Sequence, residues 1–293
     1  MVSIIHVLNG TITTKKHINR GYGKIDKIGD SIAIYNNDCL EVMKKFPDRY
    51  IDLTVTSPPY DNLRTYNGNI DQWTFEKFQE IAKQLYRITA DGGVVVWVVG
   101  DATIKGDETG SSFRQALYFK ECGFNLHDTM IWIKDGGGAV GSNYCYTQNF
   151  EYNFILSKGR PKSINLIYDK ENLSFGQDKS GAGRRLPSGE IKIESRKPSA
   201  QFSRRNNWWY IPPQKGGEHP AVFPEQLASD HITSWSGIGD KVFDPFLGSG
   251  TTGIAAHKLG RKFIGAELDA KYYEVSRNRI RDVVQPRQVS MAV

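Results

Sequence analysis

Two stretches of this chain carry residue types that could do chemistry on a nucleobase, although most of the sequence lies between them. The first is Thr56-Ser57-Pro58-Pro59-Tyr60. An exocyclic amine on a base is a poor nucleophile, because its lone pair is delocalised into the ring. Acceptors that draw both N–H bonds out of the ring plane would leave that pair pointing at an electrophile. The Ser57 hydroxyl and the Pro58 backbone carbonyl make such a pair, and the prolines stiffen the turn so that the carbonyl is aimed in advance. Tyr60 offers a face on which an extruded base can stack, contributing about 1–3 kcal/mol. Flipping the nucleotide out of a duplex costs roughly a few kcal/mol. Taken alone, Ser57 to Tyr60 reads equally well as a turn in which Pro58 and Pro59 end a strand ladder and Tyr60 packs.

The second stretch is Asp244-Pro245-Phe246-Leu247-Gly248-Ser249-Gly250-Thr251-Thr252, preceded by apolar Val242-Phe243 and followed by small and aliphatic residues at helical spacing. Glycines in a strand-to-helix turn let the backbone approach a ligand, and the first helical turn offers unpaired N–H groups to it. Glu267 ends a further short strand, where an acidic side chain can hold the two hydroxyls of a ribose. Together these read as a nucleoside-binding half-site. The third glycine of the dinucleotide fingerprint is missing, so this is not that motif.

Both stretches need a sheet to hold them. Residues 51–56, 94–99, 242–243 and 261–269 contain strand-like apolar runs, and 31–35 form another short strand. Residues 40–46, 74–88, 112–121, 225–235 and 272–281 carry helical periodicity or helix boundaries. Runs at 128–134 and 151–156 have no helix between them and are expected to pair antiparallel across a glycine-rich loop. The fold class is therefore α/β, a doubly wound, mostly parallel sheet with an antiparallel hairpin. The carboxyl edge of such a sheet is where ligands bind. The expected divisions are an arm (1–30), a catalytic half (31–156), a basic insertion (157–210), a cofactor half (211–284) and a tail (285–293).

The insertion holds the chain's charge excess. The whole sequence carries a net +6, whereas Ser157 to Arg205 has 12 Lys/Arg against 5 Asp/Glu, a net +7. Lys158, Arg160, Arg184, Arg185, Arg196, Lys197, Arg204 and Arg205 are the candidate contacts to a polyanion such as double-stranded DNA. The three cysteines, Cys39, Cys122 and Cys145, are widely spaced without a CxxC, which suggests neither a disulfide framework nor a zinc site. No metal-ligand cluster is evident, and the chemistry needs none. The longest apolar run, 94–99, is too short to span a bilayer, and no signal-peptide pattern opens the chain, so a cytoplasmic location is expected.

The two motifs, in this order and with the variable insertion between them, resemble the beta group of the DNA amino-methyltransferases that use S-adenosylmethionine. The resemblance covers most of residues 31–281. It implies a Rossmann-like class I methyltransferase fold and a target-recognition role for the insertion, and leaves open whether a restriction endonuclease acting on the same site is a partner. It also implies that Asp38, in Asn37-Asp-Cys-Leu-Glu41, lies near the cofactor adenine and that Glu267 binds the ribose. His219-Pro-Ala-Val-Phe-Pro224 is similar to the motif lining the methionine end, with Phe223 where relatives often carry Lys. Ser before Pro-Pro-Tyr leans towards cytosine N4, and Asp or Asn towards adenine N6. A hydroxyl can both accept from the amine and donate to the ring nitrogen, and adenine could be served in the same way. Methylation at cytosine C5 needs a cysteine nucleophile, which in that class follows a proline, and none of the three does. A non-catalytic nucleic-acid-binding relic would be expected to damage Ser57–Tyr60 or Gly248–Gly250, and both are intact. RNA is the rival substrate, although the large basic insertion suits duplex readout.

Overall fold

Short runs of β-branched and aromatic residues, punctuated by turn formers, assemble into one nine-stranded sheet. The computed structural model describes residues 23–59, 73–134, 146–177, 183–193, 199–213 and 224–286. In chain order the first half contains β1 (Lys24–Ile28), β2 (Ile32–Asn36), α1 (Cys39–Met43), β3 (Ile51–Thr56), α2 (Phe75–Ile88), β4 (Thr89–Val99), the small hairpin β5 (Thr103–Ile104) and β6 (Asp107–Glu108), α3 (Ser111–Glu121), β7 (Asn125–Ile133) and β8 (Phe150–Ser157). Then follow β9 (Lys170–Glu171), β10 (Gly183–Arg185), β11 (Ile191–Ile193), β12 (Phe202–Ser203) and β13 (Trp208–Tyr210). The chain closes with α4 (Glu225–Trp235), β14 (Lys241–Asp244), α5 (Thr251–Lys258), β15 (Lys262–Glu267) and α6 (Ala270–Val284).

The sheet order is β1-β2-β15-β14-β3-β4-β8-β7-β13. The five strands from β2 to β4 run parallel, β8 runs against both β4 and β7, and β1 runs against β2. One face buries Leu53, Val55, Val96 and Val98 beneath Ile232 of α4, Ala255 of α5 and Ile280 of α6. The other buries Val95 and Trp97 beneath Phe78 and Leu85 of α2 and Phe119 of α3. Helices on both faces make the fold doubly wound. In α2 the buried Phe78, Ile81, Ala82, Leu85 and Ile88 recur every three or four residues, and the Thr74 hydroxyl caps the first turn by accepting from the Lys77 N–H. No helix among the described residues is long and apolar enough to cross a membrane.

Two boundaries differ from the sequence reading. Residues 24–28, read as part of an arm, form the edge strand β1, because Ile28 is buried and Asp26 accepts a 2.8 Å hydrogen bond from the Tyr273 hydroxyl of α6. The insertion 157–210 is also narrower than expected. Ser157 ends β8, and Trp208–Tyr210 rejoins the main sheet as β13, parallel to β7, with Trp209 buried opposite Trp132. Three-residue strands give too little periodicity to be seen in sequence.

Candidate active site

The five parallel strands all end at one edge of the sheet, and the two motifs meet there. β3 and β14 are hydrogen-bonded neighbours, so their following turns, Ser57-Pro58-Pro59 and residues 245–250, emerge side by side. Thr56, the last residue of β3, donates from Oγ1 to Asp244 Oδ1 at 2.7 Å, across 188 residues of sequence. A longer contact of 3.4 Å runs from Thr252 Oγ1 back to the Val55 carbonyl. Both hydroxyls belong to fully buried residues. The other end of the Ser57–Tyr60 motif, Tyr60, lies outside the described residues, as do Phe223, Arg196 and Lys197.

The glycine turn is built by its own carboxylates. Asp244 is buried, and its Oδ1 also accepts from the Phe246 N–H, folding the chain back over the strand end. Burial raises its pKa to about 6, an effect the Thr56 hydroxyl bond opposes. Gly248 and Gly250 adopt φ of +51° and +82°, a region that L side chains rarely enter. Gly250 is the N-cap of α5 and supplies no side chain there, so the first-turn N–H groups are left to a ligand or solvent. From α6, Arg279 Nη1 holds the Ser249 carbonyl at 2.5 Å. Pro245 is buried within the same turn and Thr251 opens the helix.

Glu267 clasps this turn from the neighbouring strand. Its Oε2 accepts from the Gly248 N–H at 2.8 Å and its Oε1 from the Asp269 N–H at 2.9 Å. Burial pushes its pKa up to about 7 in spite of those bonds. A carboxylate at a strand end beside a glycine turn is placed where the hydroxyls of a nucleoside can be held. Asp38 belongs to the same edge, because the Asn37 N–H donates to the Glu267 carbonyl at 3.0 Å. There Asp38 caps α1 through the Leu40 N–H and forms a 2.9 Å ion pair with Lys77 of α2. Phe246 stands edge-on to Trp73 and Trp97 and forms an aromatic wall beside the turn. Sequence reasoning placed Thr56 at the head of the motif without giving it a role, and missed Lys77, which nothing local marks.

The basic residues divide into two groups. Lys158 is engaged within the fold: its Nζ donates to the Tyr86 and Thr89 carbonyls, and burial lowers its pKa. It follows β8, which runs antiparallel, so it and Arg160 lie at the amino ends of the parallel strands, opposite Ser57. Arg205 is also committed internally. It is paired with Asp169 and with Asp230 of α4, and those bonds raise its pKa. Arg184, Arg185 and Arg204 are exposed, and the first two stand on the hairpin β10–β11.

Known proteins share this arrangement. A family model described as a DNA methylase matches residues 51–278. The orphan methyltransferase M.BamHII of Bacillus amyloliquefaciens is 51% identical over 247 residues, covering 81% of this chain and 91% of that protein. Among solved structures, the cytosine-N4-specific PvuII DNA methyltransferase superposes with a TM-score of 0.63 at 22% identity, over 88% of this chain and 95% of that one. TTHA0409 of Thermus thermophilus, complexed with S-adenosyl-L-methionine, superposes with a TM-score of 0.59 at 25% identity, over 87% and 96%. With the family model spanning both motifs and the strands that bring them together, the chain belongs to the N6/N4 DNA methylase family.

Proposed function

We propose that this DNA amino-methyltransferase methylates the N4 amine of a cytosine flipped out of double-stranded DNA, using S-adenosylmethionine. The observation that carries the reading is the Thr56–Asp244 hydrogen bond, which fixes the amine-activating turn against the cofactor turn. When bound, the cofactor supplies an electrophilic methyl group. The residues fitted to hold it are Glu267 at the ribose, Asp38 and Phe246 around the base, and the backbone from Gly248 to Thr251, with Ser249 and Thr252 bracing the turn.

The chain's own part in the reaction is orientation. The Ser57 hydroxyl and the Pro58 carbonyl accept the amine's two N–H bonds, which turns the nitrogen lone pair out of the ring plane. Pro59 keeps the second carbonyl aimed, so no reordering is needed during the reaction. Ser57, rather than Asp or Asn, before Pro-Pro-Tyr is what leans the reading towards cytosine N4. Target recognition falls to the insertion, with Arg184, Arg185 and Arg204 available to phosphates.

Incubation with tritiated S-adenosylmethionine and DNA, RNA or no nucleic acid tests the reaction, and chromatography of the hydrolysed product identifies the base. Label in N4-methylcytosine is expected. Label in N6-methyladenine would move the target to adenine, and label on RNA alone would overturn the DNA reading. Ser57→Ala should lower turnover by on the order of 100- to 1000-fold, with cofactor affinity by calorimetry unchanged.

A further inference from the structure

Asn153, on β8, is fully buried, and neither its Nδ2 nor its Oδ1 has a hydrogen-bond partner. Buried amides are nearly always satisfied, and an unmet one is a penalty that a leucine at the same place would remove. Its position in the sheet is therefore informative. Asn153 pairs with Val98 of β4 on one side and Met130 of β7 on the other. Thr56 of β3 pairs with Trp97, the residue before Val98. Ser57 thus continues into the row that contains Val98 and Asn153, two strand spacings away, about 10 Å between backbones. Leu53, Val55, Val98, Met130 and Ile155 all face the α4 side, and alternation turns Ser57 and Asn153 to that same side. Two rows nearer the carboxyl edge, Glu151 faces the same way, buried and ion-paired with Lys134. Among the described residues, the other buried side chains with a polar atom lacking a hydrogen-bond partner are Thr54, which alternation turns to the opposite face, and His231 and Trp235, which lie on α4.

We infer that Asn153 reads the target base: with the amine held at Ser57 and Pro58, its Nδ2 donates to the ring nitrogen beside that amine. The spacing between the two strands suits a single ring. The ring nitrogen is an acceptor in both cytosine and adenine, so the contact does not depend on which of them is methylated, although it rests on the amine-methylation reading above. Asn153 is closed to solvent in the free enzyme, so the contact belongs to the complex alone. The amide is then paired in the complex and unpaired in the free enzyme.

Asn153→Leu separates this role from a structural one. The variant should melt at the same or a higher temperature than wild type and bind S-adenosylmethionine equally well, while kcat/KM on unmodified duplex DNA falls about 10- to 100-fold. In a duplex carrying 3-deazacytosine at the methylated position, wild type should lose a similar factor and Asn153→Leu should lose little more. A variant whose kcat/KM stays within about twofold of wild type overturns the inference. A lowered melting temperature together with undiminished discrimination against the deaza base also overturns it, and makes Asn153 a packing residue. If wild type itself transfers no methyl to an amine, the parent reading falls and this one falls with it; the wild-type control tells the two failures apart.

Discussion

Glu267 and Asp244 are the residues whose chemistry depends most on their surroundings. Both are carboxyls whose pKa burial raises, to about 7 and about 6, above an ordinary carboxylate near 4. The native state therefore binds more protons than the unfolded chain between about pH 4 and pH 7, and the contribution of these groups to stability falls as pH rises through that window. Glu267→Gln removes one of them. Melting temperatures across that range should show the variant gaining on wild type as pH increases, and a constant difference would show that Glu267 titrates normally. Cofactor binding works the other way: if the ribose hydroxyls donate to an ionised Glu267, affinity should weaken as pH drops below about 7, with calorimetry in two buffers registering proton release on binding. The types of these residues were legible in the sequence, because a carboxylate at a strand end is a local pattern. Their protonation was not, because it comes from burial by segments distant in the chain.

At the level of elements, the glycine turn depends on how closely α5 lies on β15 and α6. A Cβ added at Gly253 would stand 2.7 Å from the Phe263 ring, and one at Gly265 2.8 Å from Leu247. Gly253→Ala should therefore cost about 1–3 kcal/mol by overpacking, measurable as a lower denaturant midpoint, with cofactor affinity falling only as the fold loosens. At Gly250 the added atom would meet Ile280 and Ser276 of α6 at 3.1 to 3.2 Å. A substitution there strains the packing and the left-handed backbone before it reaches any ligand. The long strands and helices were readable because their apolar residues repeat over enough positions to average out exceptions. β1 was not, since Lys24, Asp26 and Lys27 look like a solvated segment until Tyr273 and Ile28 are seen to anchor it.

On the scale of the whole molecule, charge and contact must be separated. The basic stretch was visible in the sequence, but composition could not tell which cations are already paired. Arg205 meets Asp230 only after α4 has packed against the insertion, and Lys158 meets its carbonyls only across β4. Arg184→Ala with Arg185→Ala should flatten the salt dependence of DNA binding by about one logarithmic slope unit for each phosphate no longer neutralised, whereas Arg160→Ala should leave it unchanged. Equal slopes for all three proteins would place the DNA surface away from the β10–β11 hairpin. The adjacency of β3 and β14 has one more consequence, for synthesis on the ribosome. β4 can cover one flank of Ile51–Thr56 early, but the other flank waits for Lys241–Asp244. For most of translation the nascent chain thus carries an apolar strand with one side unclaimed, open to mispairing with its neighbours on a polysome.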